Sequence, residues 1–174
     1  DWARRAAGRP LEELRIADVG CGPGTTMAWL PDSPHLVGLD AQPLALTLAK
    51  TRAPRAGLVA ADAEELPLGE EVFDLVLCLD MLEHLDHPEK AVEGMFRALR
   101  PGGSLVATVP AWPFLFSTHD QALGHRRRYR RPGLKKLISS AGFELRRISY
   151  YNALLFPPIA AVRLLRRGHV DPRP

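Results

Sequence analysis

Residues 14–24 read Leu14-Arg-Ile-Ala-Asp-Val-Gly-Cys-Gly-Pro-Gly24, and the interpretation of the whole chain starts from this stretch. Its apolar first half predicts a buried strand, and the glycines that follow predict a tight turn. Gly20, Gly22 and Gly24 tolerate positive φ and let a ligand approach the backbone, because no Cβ stands in the way. By itself the pattern indicates only a turn between a strand and a helix, so its meaning depends on the surrounding sequence.

Short apolar runs alternate with helical patterns along the chain. The predicted strands cover residues 14–19, 35–39, 57–60, 73–79, 104–109 and 143–151. The predicted helices cover residues 25–30, 43–52, 88–99 and 132–141. This alternation predicts a doubly wound α/β fold, with a mostly parallel sheet and helices on both faces. Ligands of such sheets bind beyond the carboxyl ends of the strands, which is where the glycines lie.

The composition fits a single domain over residues 1–174. The chain is 46% hydrophobic, which suffices for one core, and it is too short for two full domains. Its longest apolar runs, residues 75–79 and 154–165, are shorter than the roughly 20 residues that a membrane-spanning helix needs. Two cysteines, Cys21 and Cys78, predict neither a disulfide framework nor a structural zinc site, and we expect a reducing, cytoplasmic location.

Acidic residues near the glycines and after two further predicted strands suggest the ligand. Asp40 comes at the end of the second strand, where a carboxylate accepts hydrogen bonds from both hydroxyls of a ribose. Asp62 follows the third strand and can accept a bond from an adenine amino group, although either acid also suits a helix cap. Pro23 removes an amide that a phosphate would use, and Asp18 favours a cation beside the loop. These features favour S-adenosylmethionine over a nicotinamide dinucleotide.

Five segments together resemble the successive motifs of one enzyme family. They are Asp18-Val-Gly-Cys-Gly-Pro-Gly24, Gly38-Leu-Asp40, Ala61-Asp-Ala-Glu-Glu-Leu-Pro-Leu68, Phe73-Asp-Leu-Val-Leu-Cys-Leu-Asp-Met-Leu-Glu-His84 and Leu99-Arg-Pro-Gly-Gly103. They resemble class I S-adenosylmethionine-dependent methyltransferases with a Rossmann-like sheet, in the type 11 subgroup that contains ubiquinone and menaquinone pathway enzymes. The resemblance covers residues 14–109 as a cofactor-binding core and leaves 110–174 as a substrate-side loop and basic C-terminal segment. The final strand that such enzymes usually have is not evident.

The resemblance also implies which residues bind the cofactor. Asp18 and Gly20 are expected to line its methionine end, and Asp40 to hold its ribose. Asp62, with the backbone amide of the next residue, is expected to bind the adenine. The full predicted set, in which Leu79 contributes only its backbone, is Asp18, Gly20, Gly22, Gly24, Asp40, Ala41, Asp62, Ala63 and Leu79.

A metal site is one interpretation of the segment after the fourth strand. Asp80, Glu83 and His84 could face one ion if this segment is helical, and some quinone-pathway O-methyltransferases resembled here bind a divalent cation with an acid-x-x-Glu-His set. A carboxylate-rich site of this kind prefers magnesium. The alternative, which we favour, is that Glu83 and His84 orient the loop and cap the next helix, so no metal is expected.

The candidate catalytic residues lie in a long loop, residues 110–131, directly after the fifth strand. They are His119, Asp120 and His125. An adjacent His and Asp can supply a base, and the arginines of residues 126–131 can bind an anionic substrate or form a solvated face. Three aromatic residues of the same loop are expected either to line an apolar acceptor site or to pack in the core: Trp112, Phe114 and Phe116.

Charge is unevenly distributed, since residues 126–174 contain 13 Lys and Arg against two acids. The segment 154–167 has an apolar body and a cationic end, which suits either peripheral membrane contact or a helix packed on the sheet. We expect methyl transfer to a small-molecule or lipid-linked acceptor, at oxygen. The alternatives are an inactive S-adenosylmethionine-binding partner subunit and an RNA methyltransferase, although no recognisable nucleic-acid module accompanies the basic tail.

Overall fold

The computed structural model describes residues 5, 8–31 and 35–150. Five strands form one sheet: β1 (Ile16–Val19), β2 (Leu36–Asp40), β3 (Gly57–Ala60), β4 (Phe73–Leu79) and β5 (Leu99–Thr108). The helices in the described part of the chain after β2 are, in order, α1 (Pro43–Arg52), α2 (Pro88–Ala98), α3 (Thr118–Ala122) and α4 (Arg131–Ser140). The predicted tail at 154–167 lies outside the described residues.

The sheet is parallel throughout, with the strand order β3-β2-β1-β4-β5. The chain first moves outward from β1 to β3, then returns to the other side of β1 with β4. The strand order therefore reverses between β1 and β4, and a crevice opens at the carboxyl ends of these two strands. The predicted doubly wound α/β fold is confirmed, and the glycine turn after β1 lies at this reversal.

Strand β4 shows why the sheet is covered on both faces. All but the last of its residues are buried, so it is a continuous apolar run rather than an alternating one. Leu75 and Leu77 pack in one buried cluster, whereas Val76 and Cys78 pack in a second cluster with α2. Because successive side chains of a strand point to opposite faces, the two clusters form the cores on the two sides of the sheet.

Proline and glycine positions explain most element boundaries. Helices α1 and α2 each begin with a proline in the first turn, where its missing amide costs no hydrogen bond. The predicted helix 25–30 is only a 3-10 turn, Met27–Trp29. Strand β5 begins five residues earlier than predicted, because Leu99 pairs with Phe73 before a register shift restores regular pairing from Ser104.

The predicted sixth strand is wrong for the residues that can be compared. Residues 143–150 have no strand conformation. The ring of Phe143 packs edge-on against Phe96, and that of Tyr150 stacks on Trp112. Alternating apolar and polar residues favour an extended chain, but a strand also needs a hydrogen-bonding partner, which the pattern does not specify. Within the described residues, no helix has the length and apolar composition to cross a membrane.

Candidate active site

The glycine turn after β1 has the conformation that the sequence predicts. Gly20, Gly22 and Gly24 have φ values of 77°, 51° and 78°. A Cβ on Gly20 would lie 2.9 Å from the Cβ of Met81, and one on Gly24 would lie 2.8 Å from the Cα of Ala49. At Gly22 nothing lies within 4 Å of the corresponding position, so this glycine faces open space. Two of the glycines therefore allow close packing, and the middle one leaves room for a ligand.

A cavity of about 350 Å³ opens beside this turn. Six of the nine predicted cofactor residues line it: Gly20, Gly22, Asp40, Ala41, Asp62 and Ala63. Of the other three, Asp18 is buried directly before the turn, Gly24 packs against α1, and Leu79 faces a second, open groove. The cavity therefore extends from the ends of β1 and β2 across to the end of β3.

Asp40 connects the two sides of this cavity. Its Oδ2 accepts a hydrogen bond from the backbone N–H of Gly22 at 2.8 Å, and its Oδ1 accepts one from the N–H of Gln42 at 2.8 Å. Each carboxylate oxygen has a further lone pair, so both can still accept bonds from neighbouring hydroxyls. The two backbone bonds fix the orientation of the side chain, which suits recognition of a diol such as a ribose.

Asp18 is a buried carboxylate with an unsatisfied oxygen. Its side chain is 1% exposed, and its Oδ2 has no hydrogen-bond partner within the part of the chain described here. Burial, reinforced by the negative charge of Asp40, raises the pKa of Asp18 to about 7. An unpaired buried carboxylate is unfavourable, and a bound cation relieves the cost. This arrangement fits a ligand that carries a sulfonium and an ammonium and does not fit a phosphate.

Asp62 is a helix cap and also lies at the cavity, so its predicted contact with the adenine stays a prediction. Its Oδ1 accepts a hydrogen bond from the backbone N–H of Glu64 at 2.8 Å, so it caps the 3-10 turn Ala63–Glu65. It also lines the cavity, and capping uses only part of its acceptor capacity. The cap therefore holds the carboxylate in place at the end of the cavity formed by β3.

Asp80 lies where the cavity meets the open groove along β5, and it borders both. It has a φ of 51°, an uncommon conformation for a residue with a side chain. Thr108 holds it there: the hydroxyl of Thr108 donates to Asp80 Oδ1 at 3.0 Å, and the N–H of Asp80 donates to the carbonyl of Thr108 at 3.0 Å. Strained backbone of this kind is concentrated at functional sites.

The three residues of the predicted magnesium set do not form one cluster. Glu83 and His84 do lie together, but the third member of their group is His125, with donor atoms all within 4.8 Å of one another. Asp80 is not a member of this group, and its Oδ1 accepts a hydrogen bond from the hydroxyl of Thr108. The prediction assumed a helix, whereas residues 82–84 form a turn, which directs these side chains differently.

The structure gives the predicted catalytic residues unequal roles. Asp120 is fully buried, forms a capping box with Ser117, and pairs with Arg128. Burial alone would raise its pKa, but the hydrogen bonds from Arg128 and Ser117 outweigh this effect and lower the pKa to about 2. These contacts argue against Asp120 as a base. His119 is exposed on α3, whereas His125 packs edge-on against His84, a residue that lines the cavity.

One feature that the sequence did not indicate is a clasp, by which we mean residues 126–129. Every backbone carbonyl of residues 82–86 accepts a hydrogen bond from it. The backbone N–H of Arg126 donates to the carbonyl of Glu83, and its Nε donates to the carbonyl of His84. Arg127 donates to the carbonyls of residues 85 and 86. The hydroxyl of Tyr129 donates to Leu82 at 3.1 Å. The arginines expected to bind an anion are thus largely occupied by the protein itself.

Further cavity residues were missed by the sequence. Met81 and Leu85 line the cavity from the turn after β4, together with His84, which the sequence indicated only as a possible metal ligand. Gln42 and Leu66 line it from the opposite side. Only the position of the first three, directly after a buried strand, was a usable signal. Apolar residues in loops do not otherwise indicate whether they contact a ligand or the core.

Comparison with known proteins identifies related sequences and folds. A family model described as "Methyltransferase domain" matches residues 17–107. A probable S-adenosylmethionine-dependent methyltransferase of Mycolicibacterium smegmatis is 30% identical over 146 residues, which cover 82% of this chain and 55% of that protein. A ubiquinone biosynthesis O-methyltransferase of Rhizobium etli is 36% identical over 107 residues, which cover 58% and 43% respectively.

The same fold occurs in a solved S-adenosylmethionine-dependent methyltransferase of Mesorhizobium loti. The TM-score is 0.73 at 23% identity, and the match covers 91% of this chain and 90% of that one. The present chain spans about half the length of the curated relatives that it matches.

Proposed function

Because the chain belongs to the methyltransferase domain family, within the class I S-adenosylmethionine-dependent enzymes, we propose that it transfers a methyl group from S-adenosylmethionine to an oxygen of a small-molecule or lipid-linked acceptor. The observation that carries the proposal is the buried carboxylate of Asp18, directly before the glycine turn, whose Oδ2 has no hydrogen-bond partner among the described residues. It favours a cationic ligand, and the cofactor carries positive charge on its sulfur and its amino group.

The bound cofactor would supply an activated methyl group, and the protein residues would hold it in position. In the proposal, Asp18 and Gly20 lie at the methionine end and Asp40 accepts bonds from the ribose. Asp62, with the backbone of Ala63, contacts the adenine. Gly22 allows the close approach, since its Cβ position is open. Gly24 acts indirectly by allowing α1 to pack against the turn.

Methyl transfer is an in-line displacement, so alignment of donor and acceptor is the main requirement. No protein nucleophile is needed. Asp80 borders both the cofactor cavity and the open groove along β5, so the acceptor is proposed to approach from this groove. Leu79 and Val106 are among the apolar residues that line the groove, which supports an acceptor with an apolar part.

Transfer to a hydroxyl also requires loss of its proton, either to a base or under the influence of a metal ion. We assign this task to the group formed by Glu83, His84 and His125, which reaches the cavity through His84. Of the residues that the sequence predicted as catalytic, only His125 is retained. The choice of oxygen is supported by the similarity to the Rhizobium etli O-methyltransferase.

Two measurements test the proposal in sequence. Calorimetry with S-adenosylhomocysteine is expected to show one binding site, and its absence in folded protein would refute the proposed cofactor site. Incubation with methyl-labelled S-adenosylmethionine and a panel of phenols and catechols, with and without prenyl tails, is expected to label a hydroxyl. Cofactor binding without labelling of any acceptor would instead favour an inactive partner subunit, and labelling of RNA would favour the third alternative.

A further inference from the structure

Two separate segments contribute the donors of the group Glu83, His84 and His125. The first two residues belong to the turn after β4, and the third follows α3. The Nε2 of His125 lies 4.0 Å from Glu83 Oε1. One donor atom of each of the three residues lies within 4.8 Å of the others. The fold thus brings a carboxylate and two imidazoles together from positions about 40 residues apart in the sequence.

The carboxylate of Glu83 is fully buried, at 0% exposure. Neither of its oxygens has a hydrogen-bond partner among the residues that the structure describes. An ionised carboxylate without partners is costly to bury, and a coordinated cation offsets this cost. One carboxylate oxygen of Glu83 lies within 4.8 Å of a ring nitrogen of each histidine, and imidazole nitrogens are common metal ligands.

His125 is already oriented as metal-binding histidines usually are. Its Nδ1 lies 3.2 Å from Asp120 Oδ1, so this nitrogen carries the proton and donates to the carboxylate. The other ring nitrogen, Nε2, is the one directed at Glu83. Asp120 is fixed in turn by Arg128. A carboxylate that orients a histidine in this way is typical of the outer shell of metal sites.

From this geometry we infer that Glu83, His84 and His125 bind a zinc-class divalent ion at the wall of the cofactor cavity. Two nitrogen donors and one oxygen donor suit zinc and its neighbours in the transition series, whereas magnesium prefers oxygen donors alone. The ligand set differs from the acid-x-x-Glu-His set in that His125 replaces Asp80. Tetrahedral zinc ligands lie about 3.3 Å apart, because the bonds are about 2.0–2.1 Å long, so the side chains would move inward by about 1 Å.

The ion would link the turn after β4 to the segment that carries the clasp. This inference deepens the proposed function, since it specifies how the group could act on an acceptor hydroxyl. Metal binding itself is measured without acceptor or cofactor, and cofactor binding is measured on the metal-free chain. A failure of one proposal can therefore be distinguished from a failure of the other.

The test uses the full chain after removal of metals with a chelator. Calorimetric titration with zinc sulfate is expected to show one site that binds at least about 100-fold more tightly than magnesium. Cobalt(II) is expected to give the visible absorption of a low-symmetry site with nitrogen and oxygen donors. Absence of zinc binding by the folded protein would overturn the inference.

Variants identify the ligands. His125→Asn is expected to weaken zinc binding at least about tenfold, since loss of even an outer-shell partner costs 10–100-fold. His119→Asn, an exposed histidine of α3, is the matched control and is expected to have no effect. Asp80→Asn is expected to leave zinc affinity unchanged. The inference is wrong if Asp80→Asn abolishes binding and His125→Asn does not. Circular dichroism checks folding, and Glu83→Gln replaces any ligand variant that does not fold.

Discussion

Asp18 is a residue expected to favour binding of a cationic ligand while lowering the stability of the ligand-free protein. It is buried at the end of β1 with an unsatisfied oxygen, and Asp40 adds a second negative charge nearby. The folded protein therefore holds a proton on Asp18 up to a pKa of about 7, whereas the unfolded chain loses it near 3.8. Between these values the folded state binds more protons, so the contribution of Asp18 to stability declines as pH rises.

Asp18→Asn is therefore expected to stabilise the ligand-free protein at pH 8, because the neutral amide replaces a buried charge. The difference from the wild type should shrink as pH falls and be nearly gone at about pH 3, below the value of 3.8 at which the unfolded chain loses the proton, because Asp18 is then protonated in both states. Urea unfolding at the two pH values measures this, with the exposed Glu70→Gln as a control. The same variant should bind S-adenosylhomocysteine more weakly. A variant that is less stable than the wild type at pH 8 would contradict the assignment.

Asp40→Ala is expected to weaken S-adenosylhomocysteine binding by on the order of 100-fold. In the proposed site, the substitution removes two charge-assisted bonds to the ribose, each worth on the order of 1.5–3 kcal/mol before relaxation. Asp40→Asn keeps one acceptor oxygen, so its affinity for S-adenosylhomocysteine should lie between those of the wild type and Asp40→Ala. Calorimetry on variants with unchanged circular dichroism measures the effect, and equal affinities would remove Asp40 from the proposed site.

At the scale of elements, the glycine turn is fixed by the helix and the loop that pack on it. Gly24 lies against α1, and Gly20 lies against the turn after β4. These contacts are formed by glycines with positive φ, so a side chain there would meet both a backbone cost and a steric one. The turn is therefore part of the packing of the domain as well as part of the cavity.

Gly24→Ala and Gly102→Ala separate these two costs. Both glycines have nearly the same φ, 78° and 81°, but only Gly24 has a neighbour, since nothing lies within 4 Å of the Cβ position of Gly102. Each change should cost about 1–3 kcal/mol of stability from the backbone alone. Gly24→Ala should lose at least about 1 kcal/mol more because of the contact with Ala49. Equal losses in urea unfolding would show that the contact is readily relieved.

The clasp is a second element whose contribution can be measured. Tyr129→Phe removes one hydrogen bond, to the carbonyl of Leu82, and should lower the free energy of unfolding by about 1 kcal/mol. Hydrogen exchange at residues 82–86 should accelerate more than exchange in β1, because the loss is local. Tyr150→Phe keeps its ring stack with Trp112 and serves as the control. Uniform acceleration across the protein would mean that the clasp does not act locally.

The sequence predicted those helices and strands whose boundaries are marked by local residues. It did not predict features that depend on contacts with residues distant in the sequence. Helix α1 and strands β3 and β4 were predicted to the residue, because proline, glycine and charged residues flank continuous patterns. The sixth strand failed because an extended segment becomes a strand only beside another. The alternative magnesium set, which the sequence did not favour, differs from the observed group because neither the turn at 82–84 nor the approach of His125 is encoded in local spacing.

For the whole molecule, folding brings part of the basic region onto the more acidic first part of the chain. Within the described residues, Arg126 pairs with Asp86 and Arg128 with Asp120. The proposed cofactor cavity lies at the strand reversal, and the acids in it and beside it are expected to favour a cation. The preference for one ligand over another can be measured by how much each ligand raises the melting temperature of the protein.

S-Adenosylhomocysteine at 100 times its dissociation constant should stabilise the protein by about 2.7 kcal/mol. For a chain of this length the melting temperature should rise by about 5–10 °C. NADH at the same concentration should leave it unchanged, since Asp18 and Asp40 repel its pyrophosphate. Differential scanning fluorimetry makes the comparison, and a shift with NADH alone would overturn the preference for a cationic cofactor.

The hydrogen bonds between the clasp and residues 82–86 also limit how the protein can be redesigned. Every carbonyl of that turn is matched to a donor in residues 126–129, so neither segment can be replaced independently. A chimera that takes its acceptor-side loop from a relative would leave the turn's carbonyls without donors, unless both segments are exchanged together. In this fold, acceptor specificity is therefore expected to be transferred as a pair of segments joined by backbone complementarity.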